Sequence, residues 1–333
     1  MARARFPLAD YIDDRAPLPH HLSASGMRGE LRSLRRALQN APPASEEELV
    51  GLVAEAHRVE PDRIFLTHGA SEGDALVLLH LARALRRRLG RRPRVSIPRP
   101  EYPPIRDLAV FAGMTVTETV DGADLAARSD PNNPTGRATP RAGTETGPPI
   151  TVVDETFREF SAARSGAALG LPGRWTIGTL TKAYGADEVR FGFVLAPPED
   201  AEGFGRTAGL LTDQVGASSR AEAAAVLRAR DPILREARGI FRSNLRALRR
   251  RVPGVPALDA PIWFDRPGGK LSGRRLARAA EQAGVLVIPG EFFGDPTGVR
   301  VCLTRRSFPR DLDAYLAVRA RALAGATGRK AAR

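Results

Sequence analysis

Lys182 stands between two threonines and a tyrosine in GTLTKAYGADEVRFG, residues 178–192. It is one of only three lysines in a chain that carries 51 Lys and Arg residues. The others are Lys270, in the Gly-rich RPGGKLSG, and Lys330, in the C-terminal tail. Arginine stays protonated and cannot act as an amine nucleophile, so amine chemistry has few places to occur in this sequence. A lysine attacks a carbonyl only when neutral, a state that burial and neighbouring cations promote. Thr179 and Thr181 flank Lys182, and Arg190 follows eight residues on. Hydroxyls and a guanidinium in that arrangement suit a phosphate dianion.

Three further stretches carry candidate chemistry. In THGASEG (67–73), a strand-like run ends in Gly-Ala-Ser and a helical pattern begins. Such a junction presents backbone N–H groups to an anion, although Ser71 serves equally well as an ordinary N-cap. SDPNNPTGR (129–137) is dense in turn signals and contains Asn133. Asp154 closes the apolar run of ITVVDET (150–156), where an acid is either a functional group or a helix cap.

Apolar runs of strand length must position these residues, and they alternate with helical patterns as in an α/β domain. RIFLTHG (63–69), RVSIPRPEYPP (94–104), ITVVDET, WTIGTL (175–180) and GFVLAP (192–197) read as strands, the second running into a Pro-rich loop. SEGDALVLLHLARALRRRLG reads as a helix with acids in its first turn. Residues 221–252 are helical in pattern, interrupted at Asp-Pro. The strands PIWFDRP, GVLVIPG and GVRVCL, with the helix LSGRRLARAAEQAG, make a smaller C-terminal unit. In open α/β sheets, ligands collect at the C-terminal ends of strands, where several of the candidate residues lie.

Composition narrows the class. A 42% hydrophobic and 27% charged content describes a soluble globular protein. Cys302 is the single cysteine, which excludes an internal disulfide and points to the cytoplasm. No apolar run reaches bilayer-spanning length, so no membrane partner is expected. The net charge of +13 raises nucleic-acid binding. The arginines, however, sit on amphipathic helical stretches, and the 6% of aromatic residues do not interleave with them as base stacking requires. No nucleic-acid partner is expected.

Taken in order, DPNNPTG, VVDETF, TLTKAYGADEVRFG and GVRVCL resemble the fold-type I pyridoxal-phosphate enzymes, aminotransferase class I/II, and most closely their histidinol-phosphate aminotransferase-like branch. The resemblance runs from about residue 45 to 320. It implies a three-layer α/β/α large domain with a mostly parallel sheet, aspartate aminotransferase-like, and a smaller α+β domain. The expected division is an arm at 1–40, a cofactor-binding domain at 41–225 and a small domain at 226–333. It implies pyridoxal 5'-phosphate as cofactor, with Lys182 as the residue that forms the Schiff base and later moves a proton. Asp154 would pair with the pyridine nitrogen, Asn133 with the ring hydroxyl, and Tyr102 would stack on the ring. Ala70, Ser71, Thr179, Thr181 and Arg190 would hold the phosphate, and Arg300, with Asn133, the substrate.

Four departures from the family pattern stand out. Phe157 replaces a tyrosine that donates to the ring hydroxyl. No tyrosine stands in NAPPASEEEL to reach a partner subunit's phosphate. Only 21 residues separate Asn133 from Asp154, through a stretch too rich in Pro, Gly and Thr for a helix. VLVIPGEFFGD lacks the arginine expected for a substrate phosphate, and its Phe292 and Phe293 are either pocket or core. The expectation is a homodimeric, cytoplasmic aminotransferase working between an L-amino acid and a 2-oxo acid by a ping-pong mechanism. The rival readings are a decarboxylase, lyase or oxidase on the same scaffold, and a non-catalytic scaffold that binds a ligand.

Overall fold

The computed structural model describes residues 6–15, 18–139, 148–161, 171–269 and 271–328, the side chains of the last three excepted. The chain opens with α1 (Pro7–Asp13), β1 (His20–His21), α2 (Arg32–Leu38) and α3 (Glu46–His57). Ser45 caps α3, its hydroxyl accepting from the Glu48 N–H at 3.1 Å. Then follow β2 (Ile64–Thr67), α4 (Ala70–Leu89), β3 (Arg94–Ser96), α5 (Pro103–Phe111), β4 (Thr115–Thr117), β5 (Leu125–Ser129) and β6 (Thr151–Asp154). β7 (Arg174–Thr179) and β8 (Gly192–Leu195) complete a seven-stranded sheet in the order β2-β8-β7-β6-β5-β3-β4. All its pairings are parallel except the two made by β8. β6 and β7 are buried almost throughout, as strands covered on both faces must be, so they read as continuous apolar runs.

The helices α6 (Ala201–Leu211), α7 (Ala217–Arg228) and α8 (Arg230–Arg251) lead to β9 (Ile262–Asp265), α9 (Gly273–Gln282), β10 (Val285–Leu286), β11 (Ile288–Pro289), β12 (Val299–Cys302) and α10 (Phe308–Gly328). β11, β12 and β9 form an antiparallel sheet, while β1 pairs with β10. Here Asp265 accepts from the buried Tyr315 hydroxyl at 2.6 Å and from Arg319 Nε at 2.6 Å, tying α10 to β9. No helix among the described residues is long and apolar enough to cross a membrane.

Most sequence expectations fall within a residue or two of these elements, and three differ. The stretch after Arg99 is a loop only as far as Tyr102, because Pro103 and Pro104 open α5. Proline at the first helical positions removes N–H groups that have no intrahelical partner anyway. The helical break falls at Ala229, with Asp231 and Pro232 in the first turn of α8. β5 occupies Leu125–Ser129, a strand that the sequence reading did not place. Between β5 and β6 the described residues contain no helix, while 140–147 lie outside them, as do Lys270 and Lys330.

Candidate active site

The C-terminal ends of β6 and β7, the start of α4, α1 and β12 converge on a cavity of about 230 Å³. Lys182 lines it, three residues past the end of β7. Its carbonyl accepts from the Met27 N–H at 2.9 Å, which fixes the lysine backbone beneath the Ser23–Met27 segment. Loss of solvation, the largest effect, lowers the Lys182 ammonium pKa, and Arg300 lowers it further. Asp187 and Asp154 oppose this. The balance favours the neutral amine that carbonyl chemistry requires.

Asp154 ends β6, buried, with Oδ1 accepting from the Thr156 N–H at 2.8 Å. Burial raises its pKa, which Thr156 and Lys182 pull down. Asn133 is held by its own N–H, which donates to Ser129 Oγ at 2.9 Å, and its Oδ1 accepts from Arg300 Nη1 at 3.1 Å. Arg300 on β12 is 2% exposed, so it does not lie on a solvated edge. Its Nη2 donates to the Ser23 carbonyl at 3.0 Å, its guanidinium lies 5.1 Å from the Phe293 ring centroid, and its buried Nε has no hydrogen-bond partner among the described residues. Tyr102 lines the cavity as the N-cap of α5, its hydroxyl pKa pushed up to about 12, chiefly by burial.

The opposite end of the cavity is built for an anion. α4 begins at Ala70, not after Ser71, so Ser71 lies in the first turn and its hydroxyl does not cap the helix. Gly69 precedes it at φ +106°, a conformation that favours glycine, and no side chain among the described residues caps the helix. Arg190 donates from Nη2 to the His68 carbonyl at 3.1 Å, and a Cβ on Gly69 would stand 2.7 Å from that nitrogen. Ala70, Ser71, Thr181 and Arg190 all line the cavity. Thr179 does not: its hydroxyl donates to the Phe191 carbonyl at 2.9 Å and accepts from the Thr181 N–H at 3.3 Å. Its place is behind the cavity wall, shaping the turn that carries Thr181 and Lys182.

Phe157 also lines the cavity, so the position where a ring-hydroxyl donor was expected is apolar. Phe292 and Phe293 stay outside: Phe292 packs on Tyr11, and Phe293 is buried beneath Arg300. Their place is taken by Phe6, Leu8, Ala9 and Ile12. Sequence reasoning missed this wall, because nothing in a helix at the start of the chain shows that it lies over a site formed by residues 70–300. Asp74 and Asp187 were missed as well. The one available signal for Asp74 was an acid within the apolar run of α4.

An amine, a buried acid, an anion-binding helix start and a buried guanidinium around one cavity fit the aldehyde, ring nitrogen and phosphate of pyridoxal phosphate and the carboxylate of an amino acid. On a mostly parallel α/β sheet, they define a pyridoxal-phosphate-dependent transferase with an aspartate aminotransferase-like fold. The family profile of aminotransferase class I and II matches residues 10–307, and the chain belongs to that family. It is an aminotransferase dependent on pyridoxal phosphate. Histidinol-phosphate aminotransferase of Haloarcula marismortui is 28% identical over 314 residues, 84% of this chain and 82% of that one. Aromatic amino acid aminotransferase of Streptomyces avermitilis is 35% identical over 191 residues, 52% of this chain and 50% of that one. The structure of Thermus thermophilus aspartate aminotransferase with maleate superposes with a TM-score of 0.75 at 19% identity, covering 94% of each chain.

Proposed function

We propose that this aminotransferase moves the amino group of an L-amino acid with an apolar or aromatic side chain to a 2-oxo acid, with Lys182 as the catalytic amine. One observation carries the reading: Lys182, Asp154, Arg190 and Arg300, far apart in sequence, face a single cavity, to which Phe6 and the apolar face of α1 add an apolar wall. Pyridoxal phosphate, when bound, supplies an aldehyde for amines and a protonated ring that draws electrons from the carbon bearing the amino group.

The chain's own groups do the rest. Ala70, Ser71, Thr181 and Arg190 hold the phosphate, Asp154 keeps the ring nitrogen charged, Asn133 meets the ring hydroxyl and Tyr102 covers the ring face. Arg300 binds the substrate carboxylate through its free Nε and a guanidinium already fixed by Asn133 and Ser23. Lys182 Nζ, its pKa lowered chiefly by desolvation, takes and returns the proton at the substrate Cα. Beyond these groups, no cation among the described lining residues stands ready for a second carboxylate or a substrate phosphate. Phe6, Leu8, Ala9 and Ile12 favour an apolar side chain instead, in keeping with the aromatic aminotransferase relatives.

The working form is a cytoplasmic homodimer. Leu210 and Leu211, 80% and 56% exposed, end α6 beside Thr212, whose hydroxyl donates to Glu72 at the start of α4. A second copy covering these leucines would also cover the rim of the anion site. The chain divides as arm 1–40, cofactor domain 41–225 and small domain 226–333. The test mixes loaded enzyme with single amino acids and follows its conversion to the pyridoxamine form. Phenylalanine, tyrosine or leucine should convert it at least tenfold faster than aspartate or glutamate. Preference for the acidic substrates would overturn the assignment.

A further inference from the structure

Two acids of the cavity, Asp74 and Asp187, are left unused by the proposed roles, and of these Asp187 lies close enough to Lys182 to raise its pKa. Asp74 sits in the second turn of α4, 3% exposed, lines the same cavity as Asp154 and makes no hydrogen bond among the described residues. Its placement is rigid. The preceding Gly73 is pressed to the sheet, where a Cβ would meet Ile177 Cγ2 at 3.0 Å and Val194 Cγ2 at 3.2 Å. The titratable groups around it are acids or a phenol: Asp154 at the end of β6, and Glu101 and Tyr102 before α5. Lys182, Arg190 and Arg300 line the same cavity, but none of them makes an ion pair with Asp74 among the described residues. Glu101 differs from it in having donors, the Tyr102 N–H at 2.6 Å, the Ser129 N–H at 3.0 Å and the Ser129 hydroxyl, although burial still pushes its carboxyl up to about 8. Asp154 has the Thr156 N–H on Oδ1 and Lys182 nearby.

Two buried carboxyls on one cavity, one of them without a donor among the described residues, repel each other's charge, which disfavours ionising both. An unpartnered buried acid is costly to a fold and tends to mark a functional group. The like charge of Asp154 and loss of solvation both raise the pKa of Asp74.

We propose that Asp74 and Asp154 act as one acid pair that holds a single proton in the cofactor-free protein and gives it up when the cofactor's basic ring nitrogen binds. The proposal rests on the reading of Asp154 as the partner of that nitrogen. An O–H bond of the pair breaks, and the proton goes to the ring nitrogen, or to water if that nitrogen arrives protonated. The pair passes from a charge of −1 to −2 against a pyridinium of +1, and no electrons are transferred. Asp74 is thus a positioning residue for the charge at the ring nitrogen.

Pyridoxamine phosphate is the probe, because without an aldehyde it forms no bond to Lys182. Titrating it into cofactor-free enzyme by calorimetry, in buffers of different ionisation enthalpy, counts the protons exchanged. Wild type should release about one proton more than Asp74→Asn, or take up about one fewer. Infrared difference spectra of wild type alone should show a protonated-carboxyl stretch that disappears on binding, which keeps the test valid if the variant fails to fold. Equal proton counts, or a wild-type difference spectrum in which no carboxyl band is lost on binding, would overturn the pair while leaving the proposed function standing. Failure of pyridoxamine phosphate to bind at all would overturn both.

Discussion

Arg300 Nη1 donates to Asn133 Oδ1 at 3.1 Å across 167 residues of sequence. This bond joins β12 of the antiparallel sheet to the loop that follows β5 of the parallel one. It therefore fixes the guanidinium before any substrate arrives, and leaves Nε buried without a partner among the described residues. A buried guanidinium held on two sides by acceptors costs little further ordering when it takes a carboxylate.

Arg300→Lys tests the role of that fork. Lysine presents a point charge that cannot span both Asn133 and a carboxylate. The KM for the amino acid should rise by about 100-fold, the value of a charge-assisted bidentate contact, while pyridoxal phosphate binds with nearly unchanged affinity. Steady-state kinetics beside a cofactor titration will show it. An unchanged KM would place the carboxylate elsewhere.

Lys182→Met should stabilise the cofactor-free protein. The folded state lowers the Lys182 pKa below its ordinary 10.5, so the unfolded chain binds a proton that the folded one refuses. That penalty is absent above pH 10.5 and grows as the pH falls through the window down to the folded value. Thermal melts should place the variant a few degrees above wild type near neutrality, with the gap closing as the pH is raised. A gap that widens with pH would contradict the assignment.

Phe157→Tyr adds a donor where the cavity wall is apolar. If it reaches the ring hydroxyl, it stabilises the ionised form of that group by about 1.4 kcal/mol. The pH at which the bound cofactor's visible absorbance band titrates should then fall by about one unit. An unmoved titration would show that the position does not face the ring hydroxyl.

Gly69→Ala should damage the anion site selectively. The residue sits at φ +106°, and an added Cβ would meet Arg190 Nη2 at 2.7 Å. Displacing the guanidinium should weaken pyridoxal phosphate binding at least tenfold, read by fluorescence titration, with far-ultraviolet circular dichroism unchanged. Retained affinity would remove Arg190 from the phosphate site.

Much of this site was legible in the sequence because its pieces lie at strand ends, where punctuation is strong. Asp154, Thr181, Lys182 and Arg190 follow apolar strands, and Asn133 sits in a run of turn residues. The remainder depends on three-dimensional neighbours. Pro103 and Pro104 read as loop, yet they start α5, since proline suits a first helical turn as well as a bend. Thr179 has the same residue type as Thr181, but it is the last residue of β7 and its hydroxyl bonds the Phe191 carbonyl of the neighbouring chain segment behind the wall, whereas Thr181 lies past the strand end. Asp74 looks like a solvated helix position until α4 is packed against the ends of β6 and β7. The α1 wall lies too far from the motifs in sequence for any spacing to connect them.

The central claim is that Lys182 is the amine that holds the cofactor. Purified protein loaded with pyridoxal phosphate, reduced with borohydride and mapped by peptide mass spectrometry tests it directly. The expected result is a phosphopyridoxyl group on Lys182, a visible band that bleaches on reduction, and loss of both in Lys182→Ala. Label on Lys270 or Lys330, or no label on a protein that takes up the cofactor, would contradict it.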